Sequence, residues 1–228
     1  MQTKLYLTVS VLAVAACQGA DKKPAAATDA VAPAPVARVI PATLTSPDPT
    51  ALAAAAPNTF TVVFNTSKGD VEVAVDRSFA PLGADRLYYM ANNGFFTGAR
   101  FYRVVAGFMA QFGLSGIPEV DEAFDKFPLK DDPRKITNAK GTLAFATAGP
   151  NTRTTQMFIN LEDNGPMLDP QGFAPVGTVT VGMDVVEKLL SGYGESSNVQ
   201  GMIMSKGNEY LRTHFAELDS IVTASIKK

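Results

Sequence analysis

Strict alternation across a short turn, followed by short apolar segments divided by glycines, predicts a mainly β domain, a closed or nearly closed antiparallel barrel carrying helices. The alternation lies in "TFTVVFNTSKGDVEVAVD", residues 59–76. The divided segments are "RFYRVVAGFMAQFG", "GTLAFATAG", "QMFINL" and "FAPVGTVTVG". No longer period repeats, which argues against a solenoid.

In chain order, residues 1–16 read as a signal peptide: Lys4 opens a short basic region, and "LYLTVSVLAVAA" is apolar but short for a bilayer span. The segment ends at Cys17, the only cysteine, and "VAAC" resembles the lipobox of bacterial lipoproteins, in which the cysteine is lipidated. An ordinary signal peptide with an incidental cysteine is the alternative. Lipidation would anchor the chain at the cell envelope and leave no thiol for other chemistry. Gln18 after the cysteine, rather than Asp, leans toward the outer membrane by resemblance to lipoprotein sorting rules. Residues 17–58 are rich in Ala, Pro, Thr and Asp and lack aromatic residues, so a disordered tether is expected, with a short helix at "TALAAAA" as its one candidate element.

The folded domain is expected over residues 59–228. Its opening hairpin turns at Ser67-Lys68-Gly69-Asp70, with Phe60, Val62 and Phe64 on one side and Val71, Val73 and Val75 following. "APLGADRLYYMANNGFF" changes to helical spacing, with Leu82, Leu87, Met90 and Ala91 as a buried face and Asn93-Gly94 as the stop. A second helix is expected over "GMDVVEKLLSGYG" and a last strand at "ELDSIVTASI". Asp121-Glu122 and Asp131-Asp132 read as solvated loop charge.

Hydrophobic residues make up 46% of the 228, enough for a core, and 20 basic against 22 acidic residues give no field that would gather nucleic acid. Neither a cofactor nor an obligate oligomer is indicated; the expected partners are polypeptides and, through Cys17, a membrane. The single histidine, His214, has no neighbouring nucleophile to activate and reads as a surface residue. Metal catalysis lacks its cluster of His and Cys ligands, and "GLSGIPEV" is too loose for a phosphate loop. Arg103, Gln111, Gln156 and a set of apolar residues remain. These suit a reaction that breaks no σ bond better than proton transfer or nucleophilic attack.

"FYRVVAGFMAQFG" resembles the cyclophilin signature, "GTLAFATAGPNTRTTQMFIN" is similar to that family's second block, and "MLDPQGFAPVGTVTVGMDVVEKL" resembles a third. The three stand in the family's order and, with the hairpin and first helix, cover about residues 59–226. The resemblance implies an eight-stranded closed antiparallel β-barrel capped by two α-helices, and peptidyl-prolyl cis-trans isomerase activity. By position it makes Arg103 the catalytic arginine, working with Gln111 and Phe108. It places Met109, Ala146, Thr147, Ala148, Gln156, Phe158, Leu168 and Phe173 along the substrate groove. There are departures: Met167 stands where many members carry tryptophan, Thr147 where they carry asparagine, Phe173 histidine and Val176 phenylalanine. "DEAFDKFPLKDDPRK" fits the family's variable loop. The implied role is folding of envelope proteins; a proline-binding module or chaperone of weak turnover is the alternative.

Overall fold

The computed structural model describes residues 39–228, so the signal-peptide, lipidation and Cys17 expectations lie outside the described residues. Two short helices come first, α1 (Ala42–Thr45) and α2 (Pro49–Leu52). The hairpin follows as β1 (Thr59–Thr66) and β2 (Gly69–Asp76), then α3 (Pro81–Asn92). β3 (Arg103–Val105) and β4 (Met109–Phe112) lead to α4 (Pro118–Asp125), β5 (Thr142–Phe145) and β6 (Met157–Asn160). The chain ends with α5 (Gly165–Leu168), β7 (Pro175–Val181), α6 (Met183–Glu187), α7 (Gln200–His214) and β8 (Ile221–Ile226).

The eight strands form one sheet in the order β3-β4-β6-β5-β7-β2-β1-β8, antiparallel at every pairing. The expected closed barrel is corrected to an open, curled sheet ending at β3 and β8. β3 is only three residues long, and the chain ahead of it, not β3 itself, reaches the other edge. Arg100 bridges Ser220, the Phe101 amide donates to Asp219 O at 3.0 Å, and the Ile221 amide donates to Ala99 O at 2.8 Å. Val62, Phe64, Val71, Val73 and Val75 point inward, as their alternation predicts, and join Phe95, Phe96, Phe112, Leu143 and Phe145 in the main core.

α3 begins with Pro81, whose missing N–H costs nothing at that position. Its N-cap residue, Ala80, offers no side-chain acceptor; the carboxylate of Asp132 accepts from the Leu82 and Gly83 amides at 3.0 and 2.9 Å instead. Leu87, Met90 and Ala91 are buried as expected, but Leu82 is exposed because that first turn faces Asp132 and solvent.

The second helix was expected over residues 182–194; α6 there is one short turn. Lys188 ends it, and the Leu190 amide instead donates to Asp219 Oδ2 at 2.7 Å. The second long helix is α7, interrupted at Gly207. Ile203 and Leu211 of α7 pack with Tyr102, Leu114 and Leu218 in a separate apolar cluster. α4 occupies the start of the expected variable loop, begun by Pro118 and burying Val120, Ala123 and Phe124.

Two further expectations change. Only half of each acidic pair is solvated: Asp121 is 3% and Asp132 6% exposed, because both carboxylates serve buried backbone amides. The ordered fold also begins before residue 59. Leu44, Leu52 and Ala56 are buried against the domain, the Ala56 amide donates to Asp85 Oδ1 at 2.8 Å, and Tyr89 Oη donates to Thr43 O at 2.8 Å.

Candidate active site

Arg103 and Gln111 are direct cross-strand partners, Gln111 pairs with Phe158, and Phe158 pairs with Ala144. Opposed residues share a face of a sheet, so four strands present this row on one side. Met109, two residues from Gln111, joins it. The alternate residues Val104, Ala110, Phe112, Met157, Ile159 and Leu143 belong to the main core on the other side. Met109, Ala144, Phe158 and Leu168 form a small apolar cluster of their own, packed with Phe108, Ala146 and Phe173.

Between β3 and β4 the chain reverses through Gly107, at φ 72°, a conformation that costs a side chain-bearing residue and leaves Phe108 beside the groove. The Phe108 carbonyl accepts from Asn164 Nδ2 at 2.8 Å, and the Leu168 amide donates to Asn164 O at 2.8 Å, which fixes Leu168 relative to Phe108. The Phe158 and Phe173 rings meet edge to face at 5.6 Å. On the opposite wall the Ala146 amide donates to Gln156 O at 2.9 Å, and the Thr152 hydroxyl accepts from the Ala148 amide at 3.0 Å.

These elements enclose a cavity of about 440 Å³. Every groove residue read from the sequence lines it: Arg103, Phe108, Met109, Gln111, Ala146, Thr147, Ala148, Gln156, Phe158, Leu168 and Phe173. Asp125, Thr152, Thr154 and Gln200 line it too and were not foreseen. Asp125 comes from α4 and Gln200 from α7, the two helices the sequence did not place. His214 lies apart, exposed and stacked on Tyr210 at 4.1 Å, as a surface residue.

A polar chain runs along one wall. Arg103 Nη1 donates to Gln111 Oε1 at 3.1 Å, Gln111 Nε2 to Gln156 Oε1 at 3.2 Å, and Tyr102 Oη to the same oxygen at 2.5 Å. Burial pushes the Tyr102 phenol well above its ordinary range, so it remains a proton donor. At the other end the Arg103 guanidinium meets Glu195, with Nε 2.8 Å from Oε2 and Nη2 2.5 Å from Oε1. Arg103 holds the Glu195 carboxyl below the usual carboxylate range. The guanidinium carbon lies 6.0 Å from the centre of the Phe108 ring. Tyr102 and Glu195 escaped the sequence reading; Tyr102 stands next to Arg103 in "FYRVV", but nothing in "GYGESSN" marks Glu195.

The site is an apolar pocket beside a fixed guanidinium and two carboxamides, on the outer face of a curled antiparallel sheet. It contains no activated nucleophile. Residues 61–206 match the cyclophilin type peptidyl-prolyl cis-trans isomerase/CLD family, and the chain belongs to that family. The protein is a peptidyl-prolyl cis-trans isomerase. It is 35% identical over 147 residues to the peptidyl-prolyl cis-trans isomerase of Acinetobacter baylyi, an alignment covering 60% of this chain and 78% of that one. Identity to peptidyl-prolyl cis-trans isomerase B of Escherichia coli is 34% over 136 residues, covering 56% and 82%. A crystal structure of a Cryptosporidium parvum cyclophilin type isomerase shares the fold with TM-score 0.56 at 17% identity, covering 75% of this chain and 98% of that one. The same protein was also solved in the presence of the dipeptide Ala-Pro, matching here with TM-score 0.56 at 18% identity and covering 74% and 99%.

Proposed function

We propose that this groove is the active site, that Arg103 stabilises the twisted X-Pro bond, and that the protein serves folding of envelope proteins from a lipid anchor at Cys17. The observation that carries the catalytic part is the row Arg103, Gln111, Phe158: a donor, an amide and an apolar seat on adjacent strands of one face. The Ala-Pro dipeptide present with the Cryptosporidium parvum neighbour supports a proline-containing substrate.

Rotation about a peptide bond meets a barrier of about 18–20 kcal/mol because the C–N bond must lose its double-bond character. As the bond twists, the proline nitrogen becomes pyramidal and regains a lone pair. A donor aimed at that lone pair binds the twisted form better than either planar form, and this difference accelerates the step. Arg103 remains charged and has a rigid, planar set of donors. Gln111 holds the substrate carbonyl as its direction changes. Phe108, Met109, Phe158 and Leu168 seat the ring and exclude water, while Ala146, Thr147, Ala148, Gln156 and Phe173 line the path of the flanking chain.

Shortening exchange from roughly 20 s to about 1 ms is a change of order 10⁴, or roughly 5–6 kcal/mol. One preorganised donor supplies about 3–4 kcal/mol of that. The remainder falls to water exclusion and to holding the chain near its twisted geometry. In exchange assays on an Ala-Pro peptide with the full chain, Arg103→Ala is expected to lower kcat/KM by roughly 10²–10³ while peptide binding persists. Undiminished turnover would exclude the arginine mechanism. Turnover near background in a folded wild type would favour the weakly catalytic binding module. For the anchor, Cys17→Ser is expected to move the protein from the membrane to the soluble envelope fraction; retention on the membrane would exclude lipidation there.

A further inference from the structure

The proposal below rests on Arg103 as the catalytic donor. Its guanidinium carries five N–H groups. Nε donates to both oxygens of Glu195, at 3.0 and 2.8 Å, and Nη2 donates to Oε1 at 2.5 Å. Nη1 donates to Gln111 Oε1 at 3.1 Å. Among the described residues two N–H groups are left without a partner, one on each terminal nitrogen, and the plane that holds them is fixed from two sides.

We propose that Glu195 is a positioning residue for the isomerase, holding the Nε edge of Arg103 so that the free N–H groups point into the groove. Without it the arginine is restrained only by Gln111 and by the face of Phe108, and a long arginine side chain has many rotamers. Two fixed anchors remove that freedom before substrate arrives, as preorganisation requires.

The negative charge does not cancel the benefit. The group that appears in the twisted state is the lone pair of a neutral nitrogen, not an anion, so the direction of an N–H matters more than the net charge behind it. The pair is also poorly suited to a purely structural role. Glu195 is 59% exposed and Arg103 24% exposed, and exposed pairs add little to stability.

Glu195 is itself held. It lies in the 3₁₀ turn Gly194–Ser197, where Ser197 is buried and Asn198 Nδ2 donates to Glu195 Oε2 at 3.3 Å. Tyr193, immediately before the turn, packs edge to face on Phe215 at 5.2 Å, within the apolar cluster built around α7. The region beyond β7 thus acts on Arg103 through a single carboxylate. It sets the aim of the donor.

The test compares wild type, Glu195→Ala, Glu195→Gln, Arg103→Ala and the double variant Arg103→Ala/Glu195→Ala, measuring kcat and KM for an Ala-Pro peptide and the thermal midpoint of each. Glu195→Ala is expected to lower kcat about tenfold with KM within about twofold and the midpoint unchanged. Glu195→Gln, which retains one acceptor oxygen, should fall between it and wild type. In the Arg103→Ala background, loss of Glu195 should cost nothing further.

Wild-type kcat in Glu195→Ala, with Arg103→Ala slow, would overturn this proposal alone. Faster turnover in Glu195→Ala would also overturn it, making the carboxylate a restraint on the arginine. An equal loss in both backgrounds would assign Glu195 a role independent of Arg103. A fast Arg103→Ala would overturn the arginine mechanism and this proposal together.

Discussion

The carboxylate of Asp121 shows how a single buried group sets a dependence on pH. It is 3% exposed; Oδ1 accepts from the Ser115 amide at 2.7 Å, and Oδ2 has no partner among the described residues. Burial pushes its carboxyl up to about 6, from 3.8, against the pull of the Ser115 hydrogen bond. Between those values the folded chain binds a proton that the unfolded chain does not, so this residue adds stability as pH falls from 7 toward 4 and withdraws it as pH rises. The gap corresponds to roughly 3 kcal/mol at most. Asp121→Asn keeps an acceptor for Ser115 and cannot titrate, so its urea-unfolding advantage over wild type should be largest at pH 7 and shrink toward pH 4. Parallel curves for the two proteins would show that Asp121 titrates normally. Legibility at single positions followed sequence distance. Arg103, Phe108, Met109 and Gln111 belong to one hairpin, and their spacing carried the groove. Glu195 lies 92 positions along the chain from Arg103 and reaches it only through folding, and a lone acidic residue among glycine and serine gives no local signal.

Among the elements, α3 depends on a residue far from it in sequence. Ala80 cannot cap it; Asp132 does, while also pairing with Arg153 Nη1 at 3.1 Å. Arg153 is 5% exposed and its guanidinium carbon lies 5.9 Å from the centre of the Phe145 ring, so its charge is buried against the core. Asp132→Ala removes a cap, costing about 1 kcal/mol, and leaves a buried cation short of a partner, costing about 3–5 kcal/mol. Asp131, 3.5 Å from Arg153 Nε, recovers part of that, and a net loss of about 2–4 kcal/mol is expected in urea unfolding. A loss under about 0.5 kcal/mol would mean that Asp131 and water replace it fully. The strands and α3 were readable because period-two alternation, glycine-divided apolar runs and helical spacing with an Asn-Gly stop are local signals. α4 and α7 were not. The first is eight residues long with four acidic side chains, and the second contains Gly201 and Gly207, so apolar spacing is thin in both. "GMDVVEKLL" has stronger spacing but unwinds after Lys188, where Asp219 captures the Leu190 amide.

For the whole molecule, the sequence placed the start of the domain at the first alternating strand, because alanine and proline outweigh the few apolar anchors before it. Packed residues already stand ahead of that strand. Leu44 and Leu52 are 0% and 6% exposed, and the Ala56 amide donates to Asp85, a carboxylate already fixed by Arg77 Nε at 2.7 Å and Nη2 at 2.9 Å. Two buried leucines are worth about 1.5–3 kcal/mol each, and ordering the segment costs much of that gain. A chain starting at Thr59 should therefore be roughly 2–3 kcal/mol less stable than one starting at Val39, read from urea midpoints with the slope accounted for. None of residues 39–58 lines the groove, so kcat/KM at temperatures where both are folded should agree within about twofold. Equal midpoints would mean that the segment rests on the domain without supporting it. A shared loss of stability and activity would mean that α3 and α4, against which it packs, transmit order to the groove; α4 supplies Asp125 to the lining, and that is where the change should appear first.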